Sequence, residues 1–253
     1  MKISCCLITL NEERNLPRCL RSLQGVADEI VILDSSSTDR TPQIAAEFGA
    51  RYLTAPWQGF VAQKNLAVQH AAHPWVLALD ADEELSGGLR RELADLKKGP
   101  DPHPEEGFLL NRCTFYEGRW IRHGDWYPDR ILRLFHRDHG RYVGGRVHER
   151  VEVPGRTTLL ANDLLHYSFQ DRSDHMARIR KYAQLWAETK SEQGKCVSAL
   201  TPYSHAVARF LVGYVWKKGF LDGAQGLAVA RMNAYDVFSK YRLLHRLLTG
   251  KRP

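Results

Sequence analysis

The sequence predicts an α/β protein built on a mostly parallel sheet with helices on both faces. Three observations carry this expectation. Strand-length apolar runs alternate with helix-spaced Leu and Ala through the first 80 residues, the pattern of repeated βαβ units. The runs at Ile30–Leu33 and Val76–Leu79 are apolar at consecutive positions, as in strands buried on both faces. Three of the runs stop on polar groups: Asn11-Glu12, Asp34, and Asp80-Ala81-Asp82-Glu83-Glu84. In open α/β sheets the carboxyl ends of the strands are where ligands bind.

In chain order, Ile3 to Leu10 reads as the first strand, and Leu16, Leu20 and Leu23 as one face of a helix. Ile30 to Leu33 is the second strand, closed by Asp34, and Ser35 to Asp39 is a turn. Thr41 is expected to cap the next helix, with Pro42 at its first position and Gly49 as its stop. Arg51 to Thr54 is a short strand and Phe60 to Ala71 a helix, with Lys64 sharing a stripe with Phe60, Ala67 and Ala71. After Val76–Leu79 the pattern changes at the Pro-rich stretch beginning at Gly99. Residues 107–115, 131–135 and 146–153 read as antiparallel additions, and Ser173 to Glu192 as a helix. Tyr203 to Trp216 is apolar and aromatic and ends on Lys217-Lys218.

Asp80 and Asp82 are two apart, so extended backbone would point them the same way. Like charges held together call for a cation or proton between them, and an all-oxygen pair suits Mg2+ or Mn2+. The competing reading is a solvated acidic turn at a helix start. Lys64, on a helix beside the sheet, can either snorkel to solvent or reach the sheet edge and meet phosphate or an acid. No Gly-rich phosphate loop is present, which argues against a dinucleotide enzyme and a P-loop NTPase.

Formal net charge is +7. Residues 201–253 hold nine Lys/Arg against two Asp/Glu, and the rest of the chain holds 27 of each, so the excess lies in the C-terminal fifth. That asymmetry suits an anionic surface. With no nucleic-acid reader module, an anionic membrane surface is the expected partner, through an interfacial helix bearing Tyr203, Val207, Phe210, Leu211, Tyr214 and Val215. The alternative is a C-terminal helix pair packed on the rest of the protein, with a solvated basic face. Five Cys without CxxC or zinc spacing fit a reducing compartment. The N-terminal apolar run is too short for a signal peptide, and no stretch is long enough to span a bilayer.

Leu10-Asn11-Glu12-Glu13, Asp34-Ser35-Ser36-Ser37-Thr38-Asp39, Gln63-Lys64-Asn65 and Asp80-Ala81-Asp82-Glu83 stand in the order and spacing of a family 2 glycosyltransferase, which the chain resembles. The resemblance implies the GT-A fold, a Rossmann-like nucleotide-diphospho-sugar transferase domain. Arg133-Leu134-Phe135, Val147-His148-Glu149 and Leu165-His166-Tyr167-Ser168 are similar to the subgroup that builds the lipopolysaccharide core, whose best-known members add a β-linked glucose to a heptose. The implied donor is a nucleotide-diphosphate sugar, with Asp34 at the nucleoside or else in turn and cap chemistry, Glu12 facing base or ribose, and Asn11, Lys64 and Asp80 as further donor-binding residues. Asp80 and Asp82 would hold the metal, Asp82 more directly, and His166 is a further metal or diphosphate ligand or a structural hydrogen-bonder. An inverting transfer needs a general base; of Asp125, Asp129 and Glu149 we choose Glu149, just after Gly144-Gly145. Trp120, Trp126 and Tyr127 suit either a sugar ring or a core.

The expected organisation is a nucleotide-sugar-binding half at 1–98, acceptor-side strands and loops at 99–172, and a basic helical segment at 173–253. The implied acceptor is a lipid-linked saccharide, which sets the expected location in the cytoplasm at the inner face of the inner membrane. Rival readings are transfer to a polyprenyl phosphate or another polysaccharide intermediate, a nucleotidyltransferase, and a nucleotide-sugar sensor without turnover.

Overall fold

The computed structural model describes residues 1–99, 103–145, 149–169 and 171–250. Its first part is β1 (Ile3–Thr9), α1 (Leu16–Leu23), β2 (Glu29–Asp34), α2 (Thr41–Glu47), β3 (Arg51–Thr54), α3 (Phe60–Gln69) and β4 (Trp75–Asp80). The four strands are parallel, in the order β3-β2-β1-β4. Their alternate residues feed two cores. Ile3, Cys5, Leu7, Trp75, Leu77 and Leu79 pack with Leu16, Leu20 and Leu23 of α1. On the opposite face Cys6, Val76 and Ala78 pack with Ala67 and Val68 of α3. Consecutive apolar residues are therefore required in β1 and β4, whose two faces are both covered.

The sheet continues from β4 through β8 (Asp129–His136), β6 (Gly107–Tyr116), β11 (Thr157–His166) and β5 (Glu83–Leu85). β8 runs antiparallel to β4 and to β6, and β5 antiparallel to β11. Between β5 and β6, α4 (Gly87–Leu96) is capped by the Ser86 hydroxyl, which accepts from the Leu89 N–H. β9 (Arg141–Gly144) and β10 (Glu149–Glu152) form a separate antiparallel ribbon. Its Tyr142 and Val151 join the core beneath α3.

Two local expectations change. Thr41 is the first residue of α2 and not its cap. Arg40 stands at the cap without a side-chain bond, while the Asp39 carboxylate accepts from the Thr41 N–H and hydroxyl and the Thr41 Oγ1 accepts from the Glu12 N–H. Phe60 is exposed rather than on the buried stripe of α3, which is Gln63, Lys64, Ala67 and Val68. Of the strand expected at 146–153, Glu149–Glu152 is β10, and residues 146–148, with the Val147-His148 part of one motif, lie outside the described residues.

The chain divides into two compact units, Met1–Arg112 with Asp129–His166, and Cys113–Pro128 with Tyr167–Pro253. In the second, β7 (Arg119–Ile121) pairs with the end of β6, and the helices are α5 (Arg172–Glu192), α6 (Thr201–Leu211) and α7 (Gly223–Leu248). The last turn of the expected 203–216 helix widens into a π-helical turn at Val212–Trp216. The polar groups here are structural. Asp125, its side chain 1% exposed, is held by Arg209 Nε at 3.0 Å and Lys217 Nζ at 3.1 Å. Asp222 accepts from the N–H groups of Arg122 and His123. Trp126 packs in a ring cluster with Tyr116, Phe169 and His175, so core packing accounts for that aromatic. Burial pushes the His175 imidazole down to about 4.

Gly226 sits inside α7 with no room for a side chain, since a Cβ there would lie 1.9 Å from the Gly219 carbonyl oxygen. Gly to Ala in a helix interior ordinarily stabilises by up to about 1 kcal/mol. Here the neighbour is backbone and cannot turn aside, so Gly226→Ala is expected to destabilise by about 1–3 kcal/mol. Thermal unfolding checks the sign, and a raised melting temperature would contradict this packing.

Candidate active site

The parallel register decides where the polar strand ends meet. Thr9 lies opposite Asp34, and Ile8 opposite Asp80, so β1, β2 and β4 finish at one level. The loops that follow are latched together. Asn11 adopts left-handed backbone with φ 57°, a conformation Asn tolerates. Its N–H donates to Ser37 Oγ at 2.7 Å, and its Oδ1 accepts from the Thr38 N–H at 2.8 Å. The Glu13 N–H donates to Asp39 at 3.0 Å.

Asp34 is fully buried. Oδ2 accepts from the hydroxyls of Thr9 at 2.7 Å and Ser37 at 2.6 Å, and Oδ1 accepts from the Ser37 N–H at 2.6 Å. Burial alone would raise its carboxyl; the hydrogen bonds from Ser37, Thr9 and Tyr52 outweigh it and hold the group below the usual range. These bonds anchor the turn that follows β2.

Asp80 and Asp82 do not share one direction. β4 ends at Asp80, and residues 81–82 form a turn, so strand alternation does not extend between them. Asp80 Oδ1 meets Lys64 Nζ at 2.8 Å, and Oδ2 meets an Arg133 nitrogen at 2.6 Å. The same Arg133 nitrogen lies 2.6 Å from Oε1 of the fully buried Glu83, whose Oε2 accepts from the Asp80 N–H at 3.0 Å. Burial opposes the charged form of Asp80, but Arg133 and Lys64 more than reverse this and drive its carboxyl far below the usual range. Lys64 shows the mirror effect: burial favours the neutral amine, yet the Asp80 carboxylate keeps the ammonium form favoured.

Lys64 therefore takes the inward course and reaches acids at the sheet edge. It also donates to Glu149 Oε1 at 3.2 Å and lies 5.4 Å from the Tyr142 ring centroid. Asp82 turns elsewhere, to His166 Nε2 at 3.4 Å from its Oδ2. Burial would raise the Asp82 carboxyl, but the His166 hydrogen bond and charge bring it below its ordinary value. Glu12 is raised instead, by burial and by the charges of Asp82, Asp39 and Asp80, against a hydrogen bond from Asn15. Of the other candidate bases, Asp129 pairs with Arg112 at 2.8 Å and Asp125 belongs to the other unit.

Residues 4–102 match the family model for glycosyl transferase family 2. These residues are a family 2 glycosyltransferase domain. Over 97% of the chain and 95% of the relative, the transferase is 29% identical to the lipopolysaccharide core biosynthesis glycosyltransferase LpsC of Rhizobium meliloti. It is 26% identical to the uncharacterized glycosyltransferase RT0209 of Rickettsia typhi, over 99% of this chain and 89% of that one. Among solved structures it resembles S. aureus TarS 1-349 in complex with UDP, with a TM-score of 0.50 at 15% identity, covering 99% of this chain and 92% of that chain. The GT-A-like fold implied by the sequence motifs is the fold observed, a parallel half-sheet extended by antiparallel strands and followed by helices.

The sequence motifs contain Arg133 and Glu83 without disclosing their pairing, and no motif contains Tyr142. One signal was present in the sequence: Arg133 interrupts the apolar run from Ile131 to Phe135. A cation there is buried and has to be paired.

Arg133→Ala would leave Glu83 and Asp80 without their shared cation and should cost about 3–5 kcal/mol, read by chemical denaturation; a cost under 1 kcal/mol would mean the pairing carries little. For the acids, a carboxylate with a folded value below its unfolded value of about 3.9 adds stability that is complete above that pH and is lost as pH falls toward the folded value. Asp80→Asn should therefore be less stable than the parent by a constant margin above about pH 5, and the gap should narrow below about pH 4. A pH-independent gap would exclude the ionic account.

Proposed function

We propose that this transferase is an inverting hexosyltransferase that moves glucose from a nucleotide-diphosphate sugar to a lipopolysaccharide core acceptor, assisted by Mg2+ or Mn2+. The observation that carries the reading is the gathering of Lys64, Asp80, Asp82, Glu149 and His166 at the carboxyl end of the parallel sheet. The name of LpsC supports the acceptor class. The UDP in the TarS structure fits a uridine-type donor on the same fold.

No three His, Cys, Asp or Glu side chains among the described residues converge as a ready-made metal shell. The donor set nevertheless fits a cation shared with substrate. Asp82 and His166 stand side by side, and Mg2+ in phosphate-transfer sites commonly takes one or two protein ligands and completes its shell with diphosphate oxygens and water. His166 Nδ1 is buried without a hydrogen-bond partner, a cost that a ligand oxygen would remove. Asp80, already held by Lys64 and Arg133, serves by anchoring those two cations beside the ion. When bound, the cation stabilises charge on the departing diphosphate.

The remaining steps belong to the chain. The Asp34 turn and the Asn11-Glu12 loop frame the nucleoside. The Lys64 ammonium, between Asp80 and Glu149, orients the donor-side acid and the base together. Glu149 takes the proton of the acceptor hydroxyl as its oxygen bonds to the anomeric carbon and the bond to the diphosphate breaks. One displacement inverts that carbon. A lipid-linked acceptor would bring the enzyme to the anionic cytoplasmic face of the inner membrane as a peripheral protein; no helix among the described residues is long and apolar enough to cross a bilayer.

Asp82→Ala should abolish transfer and the Mn2+-dependent part of donor binding while leaving the fold intact. A thermal-shift screen of nucleotide sugars with and without Mn2+ reads this directly, because a bound ligand raises apparent stability by mass action; unchanged turnover would remove the metal from the mechanism. Glu149→Gln should retain the donor-induced shift and lose turnover by about 10²–10⁴-fold. Near-parental turnover would move the base to another residue.

A further inference from the structure

The sequence places six apolar residues of the 203–216 segment on one helical face, and the structure divides them. Phe210 and Tyr214 stack on each other at 5.3 Å and are half-buried. Tyr203, Val207, Leu211 and Val215 point outward, and Leu200 extends their row at the N-terminal end of α6. The spacing of three to four residues makes this a single stripe. At the far end the π-helical turn carries Trp216, which is 82% exposed, and the following turn adds exposed Phe220 and Leu221. An exposed apolar surface of this extent marks an interaction site.

Charge identifies what covers it. From Gln193 to Leu221 the chain has no Asp or Glu, whereas Lys195, Arg209, Lys217 and Lys218 are present. Arg209 and Lys217 send their tips to the buried Asp125 but stay close to half exposed. A second copy of the chain, docked through the same face about a two-fold axis, would set these cations against themselves. An anionic lipid surface complements both features: acyl chains for the stripe and headgroups for the cations. Trp and Tyr at the two ends of the stripe are the side chains favoured at the headgroup level.

We infer that the outward stripe Leu200, Tyr203, Val207, Leu211, Val215 and Trp216 is a membrane-docking surface that lies in the plane of an anionic lipid leaflet. This deepens the proposed reading, which brings the enzyme to a membrane through its acceptor, by assigning the contact to one face of α6 and its π-helical turn.

Co-sedimentation of the full chain with phosphatidylcholine vesicles, with and without phosphatidylglycerol, tests the inference. The parent should bind the vesicles containing phosphatidylglycerol. Val207→Asp combined with Leu211→Asp should weaken that binding at least about tenfold with little change in melting temperature, since both positions are exposed. Trp216→Ser, a milder change at the most exposed position, should weaken it several-fold and guards against a folding defect in the double variant. If the parent binds and both variants bind equally well, the stripe is not the docking surface, although the membrane reading survives. If the parent does not bind, both fail. If the double variant instead splits a dimer and leaves vesicle binding unchanged, the face belongs to a second copy and the inference is overturned.

Discussion

The Arg133 guanidinium is buried, and a buried charge persists only when it is paired and hydrogen-bonded. Its partners come from one short stretch distant from it in sequence: Asp80 at the end of β4 and Glu83 at the start of β5. Since Arg133 itself belongs to β8, one side chain links the parallel half of the sheet to the antiparallel half at the level where the parallel strands end. Such a network is not a large net source of stability, because desolvation offsets most of the attraction. Its physical effect is to fix orientation. With Arg133 on one oxygen and Lys64 on the other, Asp80 has little freedom to move.

That orientation extends to Glu149 through Lys64, which lies between the two acids. In the proposed reaction, a group that leaves as a diphosphate and a hydroxyl that loses a proton have to be handled a few ångströms apart, and a shared ammonium is one way to hold both sides in register. Asp82, turned toward His166, stays outside the Lys64–Asp80–Arg133 cluster. The two acids of one short motif thus have different partners, and the turn at residues 81–82 separates them.

The second unit has a different balance. Two of its acids are turned inward: Asp125 takes Arg209 and Lys217, and Asp222 takes backbone N–H groups. Its outward side on α6 is apolar and free of acids. Amphipathicity in this helix is therefore partly inverted relative to a helix packed on a core, where the apolar stripe faces inward.

Much of the first unit was legible in the sequence. Runs such as Val76–Leu79 and Ile30–Leu33 describe strands buried on both faces because burial on two sides leaves no position for a polar residue, and the acids that end them mark the carboxyl edge of the sheet. The reach of Lys64 toward acids could also be anticipated from its place among Ala67 and Ala71. The long-range partnerships were decided by tertiary structure alone. Arg133 meets Asp80 from 53 residues away, and His166 comes to Asp82 through the pairing of β11 with β5, where it stands opposite Glu83. Likewise, only the folded chain separates Phe210 and Tyr214 from the outward row on α6. Periodicity is a local property that the backbone enforces within a few residues, whereas an ion pair or an exposed face depends on which distant strand or helix arrives beside it.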